Sequence, residues 1–327
     1  MPLIMRPLAV VAAFLLAAGL AATGAYAADN WPTRPVHIIV PFAPAGPTDA
    51  ISRVLADKLG QSLGQQFIVE NRPGAGANIG IDYVAHAAPD GYTVLMVSSS
   101  FVVNPSSYRN PGYDPFKDFA PVTDAGTSPN IIVANPSLPA KTMKELVALV
   151  HANPGKYSYS TPGIGTVGDL SAILLRQALN LDMTPVAFNG AGPAVNSVIQ
   201  GQTPIGFGSV TPATPQIKAG TLRGLAIASD KRLTSLPDVP TLAEAGYPHH
   251  ESAIMHAVLL PAHTPKPIVD RLYRAIAQAE TLPDVRQRFA TLGFQPKAST
   301  PAEFAAEIKT EVERWAKVIK SAHLPVQ

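Results

Sequence analysis

Short runs rich in β-branched residues alternate along this chain with stretches where apolar side chains recur every three or four positions. Val36 to Val40 is such a run and predicts a buried strand. Beyond it, Ile51, Val54, Leu55, Leu59 and Leu63 fall on one face of a helix. The same reasoning predicts strands at residues 67–70, 92–97, 131–134, 157–160, 185–188, 205–207, 222–228 and 254–260, and helices at 79–86, 166–179 and 193–200. Three further helix starts are marked by a threonine with a glutamate three residues on, at Thr142 and Glu145, Thr241 and Glu244, and Thr300 and Glu303. At that spacing each side chain satisfies a free backbone N–H of the other residue. The last pair encloses Pro301 at the first helical position. C-terminal helices are also expected from Pro267 and Asp284. Alternation of this kind defines an α/β fold with largely parallel strands. A length of 327 residues favours two sheets with flanking helices over one large sheet. No clean internal repeat is visible.

Composition adds exclusions. Charged residues are 15% of the chain and apolar ones 46%, so self-repulsion does not oppose a core. Lys and Arg total 25 against 23 Asp and Glu, which leaves no field for a polyanion. A nucleic-acid groove is therefore unsupported, and a charged ligand must be met locally. The absence of cysteine excludes disulfides, thiolate metal sites, a cysteine nucleophile and a lipidated N-terminus. The 33 prolines, about twice the usual share, punctuate element ends along the whole chain.

The N-terminus reads as an export signal. Arg6 precedes an apolar run from Leu8 to Ala22, and Ala25-Tyr26-Ala27 has the small-x-small pattern of a cleavage site. Residues 1–27 are expected to be removed after Ala27. The alternative is an uncleaved anchor, because Pro7 to Ala28 carries no charge. A cleaved chain with no lipid-attachment cysteine is expected free in the periplasm of a Gram-negative cell.

Candidate chemistry lies in the turns. Pro41-Phe42-Ala43-Pro44-Ala45-Gly46-Pro47-Thr48-Asp49 joins the first strand to the first helix. Free backbone N–H groups at the positive end of the helix dipole suit a carboxylate or phosphate. The plain alternative is a structural turn capped by Thr48 or Asp49. A second junction, Ser160 to Asp169, contains Gly163-Ile164-Gly165-Thr166-Val167-Gly168. A dinucleotide site requires an acidic residue about twenty positions on at a strand end, whereas Asp182 comes fourteen residues after Gly168 and precedes its strand, so a small anion is the better reading. Asn189-Gly190-Ala191-Gly192-Pro193 is a third such turn. No serine lies in Gly-x-Ser-x-Gly. His249, His250, Glu251 and His256 match no strong metal spacing. The segment Asn71 to Ala77 lacks the lysine of a phosphate loop and reads as a structural turn. Neither a cofactor nor a metal is expected.

In order along the chain stand Trp31-Pro32 with Arg34-Pro35, the Pro41 to Asp49 loop, Glu70-Asn71-Arg72-Pro73-Gly74-Ala75-Gly76, and Ala88-Pro89-Asp90-Gly91-Tyr92-Thr93. Lys117-Asp118-Phe119-Ala120-Pro121, Asn135-Pro136-Ser137-Leu138 and Leu236-Pro237-Asp238-Val239-Pro240-Thr241 follow. Together these resemble the Bug-type, TctC-like solute receptors of tripartite tricarboxylate transporters, over essentially all the mature chain. The resemblance implies a type II-like, two-lobed periplasmic binding protein with a cleft between lobes. It implies a non-catalytic monomer that closes over a small organic mono- or dicarboxylate and delivers it to a membrane permease. Two crossings between lobes are expected near residues 124–127 and 251–255, giving lobe 1 at 28–125 and 254–327 and lobe 2 at 126–253. By position, the cleft would use Phe42, Ala43, Gly46, Thr48 and Asp49, then Ser98, Ser99 and Ser100. From the other lobe would come Thr161, Gly165, Thr166 and Val167, Asn189, Gly190 and Ala191, and Gly208 and Ser209, with His256 added. The resemblance also implies a carboxylate held through water at the first loop.

Departures from the family pattern bear on the ligand. Ala45-Gly46 replaces Gly-Gly, Val167-Gly168-Asp169 replaces two hydroxyl residues and a histidine, and Asn189 stands where lysine is frequent. Pro204 and Gly208 occupy positions where acids are common. With no acceptor for an ammonium, a carboxylate without an amino group is expected, aromatic or short aliphatic, ahead of aspartate or glutamate. Asp169 is expected as a first-turn charge facing solvent; reaching the cleft instead, it would hold an ammonium. His256, if protonated, would favour an anion. A ligand-reporting partner for a signalling protein needs the same closing cleft and is an alternative, whereas a secreted enzyme fits less well because no convergent nucleophile, base and orienting group is found.

Overall fold

The computed structural model describes residues 30–324 and 326–327, so the expected export signal lies outside the described residues. The chain opens with β1 (Val36–Val40), α1 (Pro47–Leu63), β2 (Phe67–Asn71), α2 (Asn78–Ala85), β3 (Thr93–Ser98) and α3 (Ser100–Ser107). β1 pairs in parallel with β2 and β3. After the long β4 (Phe119–Ala134) come α4 (Met143–His151), β5 (Tyr157–Thr161), α5 (Val167–Ala178) and β6 (Met183–Ala187). α6 (Ala191–Ile199), β7 (Ile205–Ser209), α7 (Val210–Lys218) and β8 (Arg223–Ile227) complete this half. β5 pairs in parallel with β6 and β7. β9 (Ala253–Pro261) returns the chain to the first half, which ends with α8 (Lys266–Thr281), α9 (Pro283–Leu292), the short β10 (Gln295–Pro296) and α10 (Pro301–Ser321).

The expected α/β layering is present, but the two expected sheets are continuous. Ten strands form one mixed sheet in the order β2-β1-β3-β9-β4-β7-β5-β6, with β8 and β10 also on β4. The strand expected at 131–134 is the end of β4. Up to Pro129, β4 lies antiparallel to β9; from Asn130 it pairs antiparallel with β7 and β8. The topology explains the mixture. A chain that leaves one half and returns beside its own exit runs in opposite directions on the two passages, whereas parallel neighbours need a crossover on a sheet face. Register shifts between Pro121 and Thr123 and between Asp124 and Gly126 interrupt the β4–β9 pairing, and such bulges bend a strand.

Each half has its own core. Phe101, Phe289 and Phe304 are fully buried in the apolar cluster of the first half. In the second half the sheet is covered on both faces. Ile132, Leu146, Tyr159 and Phe207 join one cluster, and Ile131, Val198 and Val210 the other. The neighbours Ile131 and Ile132 go to opposite faces because side chains alternate along a strand. Burying each such side chain contributes about 1.5–3 kcal/mol.

Thr300 and Glu303 form the complete reciprocal cap expected of them. Thr142 accepts the Glu145 N–H, but the Glu145 carboxylate bonds the Lys141 N–H at 2.6 Å. Thr241 and Glu244 exchange both bonds, at 2.8 and 3.1 Å, yet only a turn follows. Gly246 at φ 94 and Pro248 end the segment before a helix can propagate.

Candidate ligand cleft

A pocket of about 30 Å³ lies between the halves and is walled by strand-to-helix junctions of both. Phe42, Gly46, Pro47 and Thr48 come from the β1–α1 junction, and Ser98 from β3–α3. Pro162, Thr166, Val167 and Gly168 come from β5–α5, and Ala191 from β6–α6, with Ile254 of β9 closing the wall. Open α/β sheets bind ligands at such positions, beyond the carboxyl ends of parallel strands. Here α1, α5 and α6 begin in the lining itself. Their dipole ends create positive potential although no charged side chain lines the pocket. A second chamber of about 230 Å³ adjoins at Phe42 and Pro162 and is also lined by Tyr108, Ile164, Phe188 and Asn189.

The two principal junctions share one construction. Ala45 at φ 67 and Gly165 at φ 77 both adopt the left-handed conformation one residue before the N-cap, Gly46 or Thr166. In each, that residue's N–H donates to a first-turn aspartate, Ala45 to Asp49 Oδ2 and Gly165 to Asp169 Oδ2, both at 3.1 Å. This local repeat was not visible in the sequence because only the aspartate is common to the equivalent positions. Asp49 also accepts from Arg53 Nη2 at 2.9 Å and Asn71 Nδ2 at 3.0 Å. Burial opposes its ionisation, but these bonds outweigh burial and hold the carboxyl below its usual range. For Asp169 burial dominates and pushes the carboxyl up, with the Gly165 N–H offsetting only part. Asp169 is 5% exposed and Asp49 4%. Asp169 therefore does not face solvent as expected, and neither aspartate lines the pocket, because each carboxylate folds back to shape its own loop.

Of the residues carried over by position, Phe42, Gly46, Thr48, Ser98, Thr166, Val167 and Ala191 line the inner pocket, and Asn189 the outer chamber. The others have different places. The Ala43 N–H donates across the cleft to the Asn189 carbonyl at 2.9 Å, which occupies that donor. Ser99 Oγ accepts the Met255 N–H at 2.8 Å, and Ser100, fully buried, accepts from Ser98 Oγ at 3.3 Å. Thr161 is buried at the end of β5. Gly190, at φ 137, lets its backbone approach that of Ala43. Gly208 packs against the Pro162 ring, and Ser209 Oγ caps α7 by accepting the Thr211 N–H at 3.2 Å. Thr166 caps α5, its hydroxyl donating to Gly163 O at 2.7 Å.

His256 is 0% exposed, with Nδ1 3.3 Å from Thr48 Oγ1 and Nε2 2.9 Å from Ser128 Oγ. Burial lowers its pKa to about 3. The ring is neutral and supplies no charge to an anion; it holds Thr48 beneath the pocket. Sequence reading missed Ile254 and Tyr108, which lie outside the three glycine-rich junctions it singled out. The Tyr108 hydroxyl donates to Ile164 O at 3.0 Å across the cleft, and Val167 and Leu170 of α5 pack into the first-half core. Among the described residues no group of three or more His, Cys, Asp or Glu is placed to hold a metal ion, and no helix is long and apolar enough to cross a membrane.

Helix starts from two α/β halves facing one another across a cleft, with the chain passing twice between them, define a periplasmic-binding-protein fold. Solved structures agree. The periplasmic binding protein BugD superposes with a TM-score of 0.88 at 36% identity, covering 91% of this chain and 100% of its own. An R. palustris protein with adipate gives 0.86 at 32% identity, covering 90% and 98%. MatC from Rhodopseudomonas palustris with bound malate gives 0.83 at 33%, covering 88% and 100%. Residues 51–324 match the model of the tripartite tricarboxylate transporter family receptor, and the chain belongs to that family, whose members are receptors and not enzymes.

Proposed function

We propose that this receptor captures a small organic carboxylate lacking an ammonium group and passes it to the membrane permease of a tripartite tricarboxylate-type transporter. The observation that carries the reading is the convergence of α1, α5 and α6 on a pocket with no charged side chain. A carboxylate is met there by backbone N–H groups and dipole ends. An ammonium meets no acid, since Asp49 and Asp169 are both turned into their own loops. The adipate and malate of the two R. palustris proteins support the class. In this reading residues 1–27 are cleaved after Ala27 and the mature protein works in the periplasm as a monomer. Its lobes, 28–125 with 254–327 and 126–253, hinge where β4 and β9 pass side by side.

The test is calorimetry with aspartate and glutamate against succinate and glutarate. The deaminated acids are expected to bind more tightly and to raise the melting temperature as ligands of the native state do. Tighter binding of either amino acid would sink the reading. N-terminal sequencing of the exported protein checks the cleavage site.

A further inference from the structure

We propose that Gln327 is a positioning residue of the ligand cleft, its backbone gripping the peptide groups on either side of Tyr108 and so setting the reach of that side chain to the second half. The proposal rests on the reading of the cleft as the ligand site. At the end of α3 the Tyr108 N–H is held by Asn104 O at 3.0 Å, and at φ −124 and ψ 141 the residue is extended. An extended residue presents the carbonyl before it and the N–H after it to a parallel neighbour. Gln327 takes both: its N–H donates to Ser107 O and its carbonyl accepts the Arg109 N–H, each at 2.8 Å. At the far end of the ring, the hydroxyl donates to Ile164 O at 3.0 Å.

The end of α10 steers the chain to this point. His323 adopts the left-handed conformation at φ 50, with its N–H donating to Lys320 O at 3.3 Å and the Leu324 N–H to Ile319 O at 3.0 Å. These two bonds make a Schellman turn, which leads the chain out of the helix and packs the residue beyond it on the last helical turn. Leu324 and Ile319 are both buried in the first-half core, so Gln327 lies three residues from an anchored point. The receiving site leaves little tolerance. Gly76, at φ 61, lies beneath the hydroxyl and its acceptor, where any Cβ would overlap Tyr108 Oη and Ile164 O. A Cβ at Gly165 would stand 3.1 Å from the Tyr108 ring. Hydrogen bonds weaken steeply with misalignment. A backbone free to drift at residue 108 therefore loses the bond across the outer chamber, which Tyr108 and Ile164 both line.

Stopped-flow release from the mature protein tests this, with whichever of succinate, glutarate, malate and adipate binds tightest as the probe. Removal of residues 325–327 is expected to speed release about fivefold, as Tyr108→Phe does, since each forfeits the same hydrogen bond across the cleft. The combination decides the route. If the tail acts through Tyr108, both changes together speed release no more than either alone; independent effects multiply to about 25-fold, and that result overturns the proposal. Unchanged release in the shortened protein overturns it alone and leaves the cleft reading standing. Gln327→Ala keeps both backbone bonds and is expected to alter release by less than about twofold; an effect as large as that of the deletion assigns the role to the side chain and overturns the proposal. Should the shortened protein fail to fold, Gln327→Pro, which removes only the N–H given to Ser107 O, takes its place in the same comparison. If none of the four acids binds, the cleft reading fails and takes this proposal with it.

Discussion

Ala45 sits at φ 67, in a conformation that disfavours any residue with a Cβ, and its counterpart Gly165 sits at φ 77. Ala45→Gly is therefore expected to stabilise the protein by about 1 kcal/mol in urea unfolding, strain relief outweighing the entropy glycine adds to the unfolded chain. Gly165→Ala should cost more than that gain, because its Cβ would also stand 2.9 Å from Ser107 Oγ. Gly46, at φ −82, is in backbone space open to any residue, so the positive φ of this loop falls on Ala45 and not on its glycine. His256 is expected to show no titration of its ring resonances by NMR between pH 5 and 8, given a pKa of about 3. The strand-to-helix junctions were legible in the sequence because glycine and proline mark them. The aim of individual side chains was not. Asp49 and Asp169 announce a first-turn charge, but only folding shows that each turns back to the N–H of a left-handed residue.

Among the elements, most strands and helices were legible from periodicity, and the exceptions have causes. α3 and α7 carry Pro105 and Pro215 in their interiors, which hid them as helices. Proline disfavours a helix interior, and tertiary packing overrides that preference here: Phe101, Val102 and Val103 of α3, and Val210 and Ala213 of α7, are fully buried. β4 was hidden by Pro121, Gly126 and Pro129, which break its apolar alternation, and its length reflects service to two sets of partners. Near the end of α8, Glu280 is buried and neither carboxylate oxygen is hydrogen-bonded. Burial raises its pKa to about 8, and the charge of Asp124 adds to the rise. Between the ordinary value of 4.5 and about 8 the folded state keeps a proton that the unfolded state has lost, so stability falls as pH rises through this window. Glu280→Gln removes the penalty. It is expected to gain about 4 kcal/mol at pH 8, with the gain fading toward pH 4.5, as measured by urea unfolding across a pH series.

At the scale of the whole molecule, two hydrogen bonds among the described residues cross the cleft, the Ala43 N–H to Asn189 O and Tyr108 to Ile164 O, while Thr211 Oγ1 to Leu292 O and Gln177 Nε2 to Ala322 O join the halves elsewhere. The first is backbone to backbone and beyond the reach of side-chain substitution. Tyr108→Phe deletes the second, and loss of one hydrogen bond of about 1 kcal/mol should speed ligand release roughly fivefold in stopped-flow measurements, with the melting temperature of the unliganded protein nearly unchanged.

The two passages of the chain between halves, paired as β4 and β9, close on one junction of three hydrogen bonds. The Asn130 N–H donates to Ser252 O at 3.1 Å, the Ser252 N–H to Ala228 O at 3.0 Å, and the Ala228 N–H to Asn130 O at 2.8 Å. Everything from 130 to 252 is thus a cassette with abutting ends, carrying its own pair of apolar clusters and one of the two aspartate-braced loops. Exchange of such a cassette between relatives requires no rethreading, because entry and exit already share a junction. Half of the pocket wall would travel with it while the other half stays behind, so recombination at this seam would exchange one side of the proposed cleft in a single step.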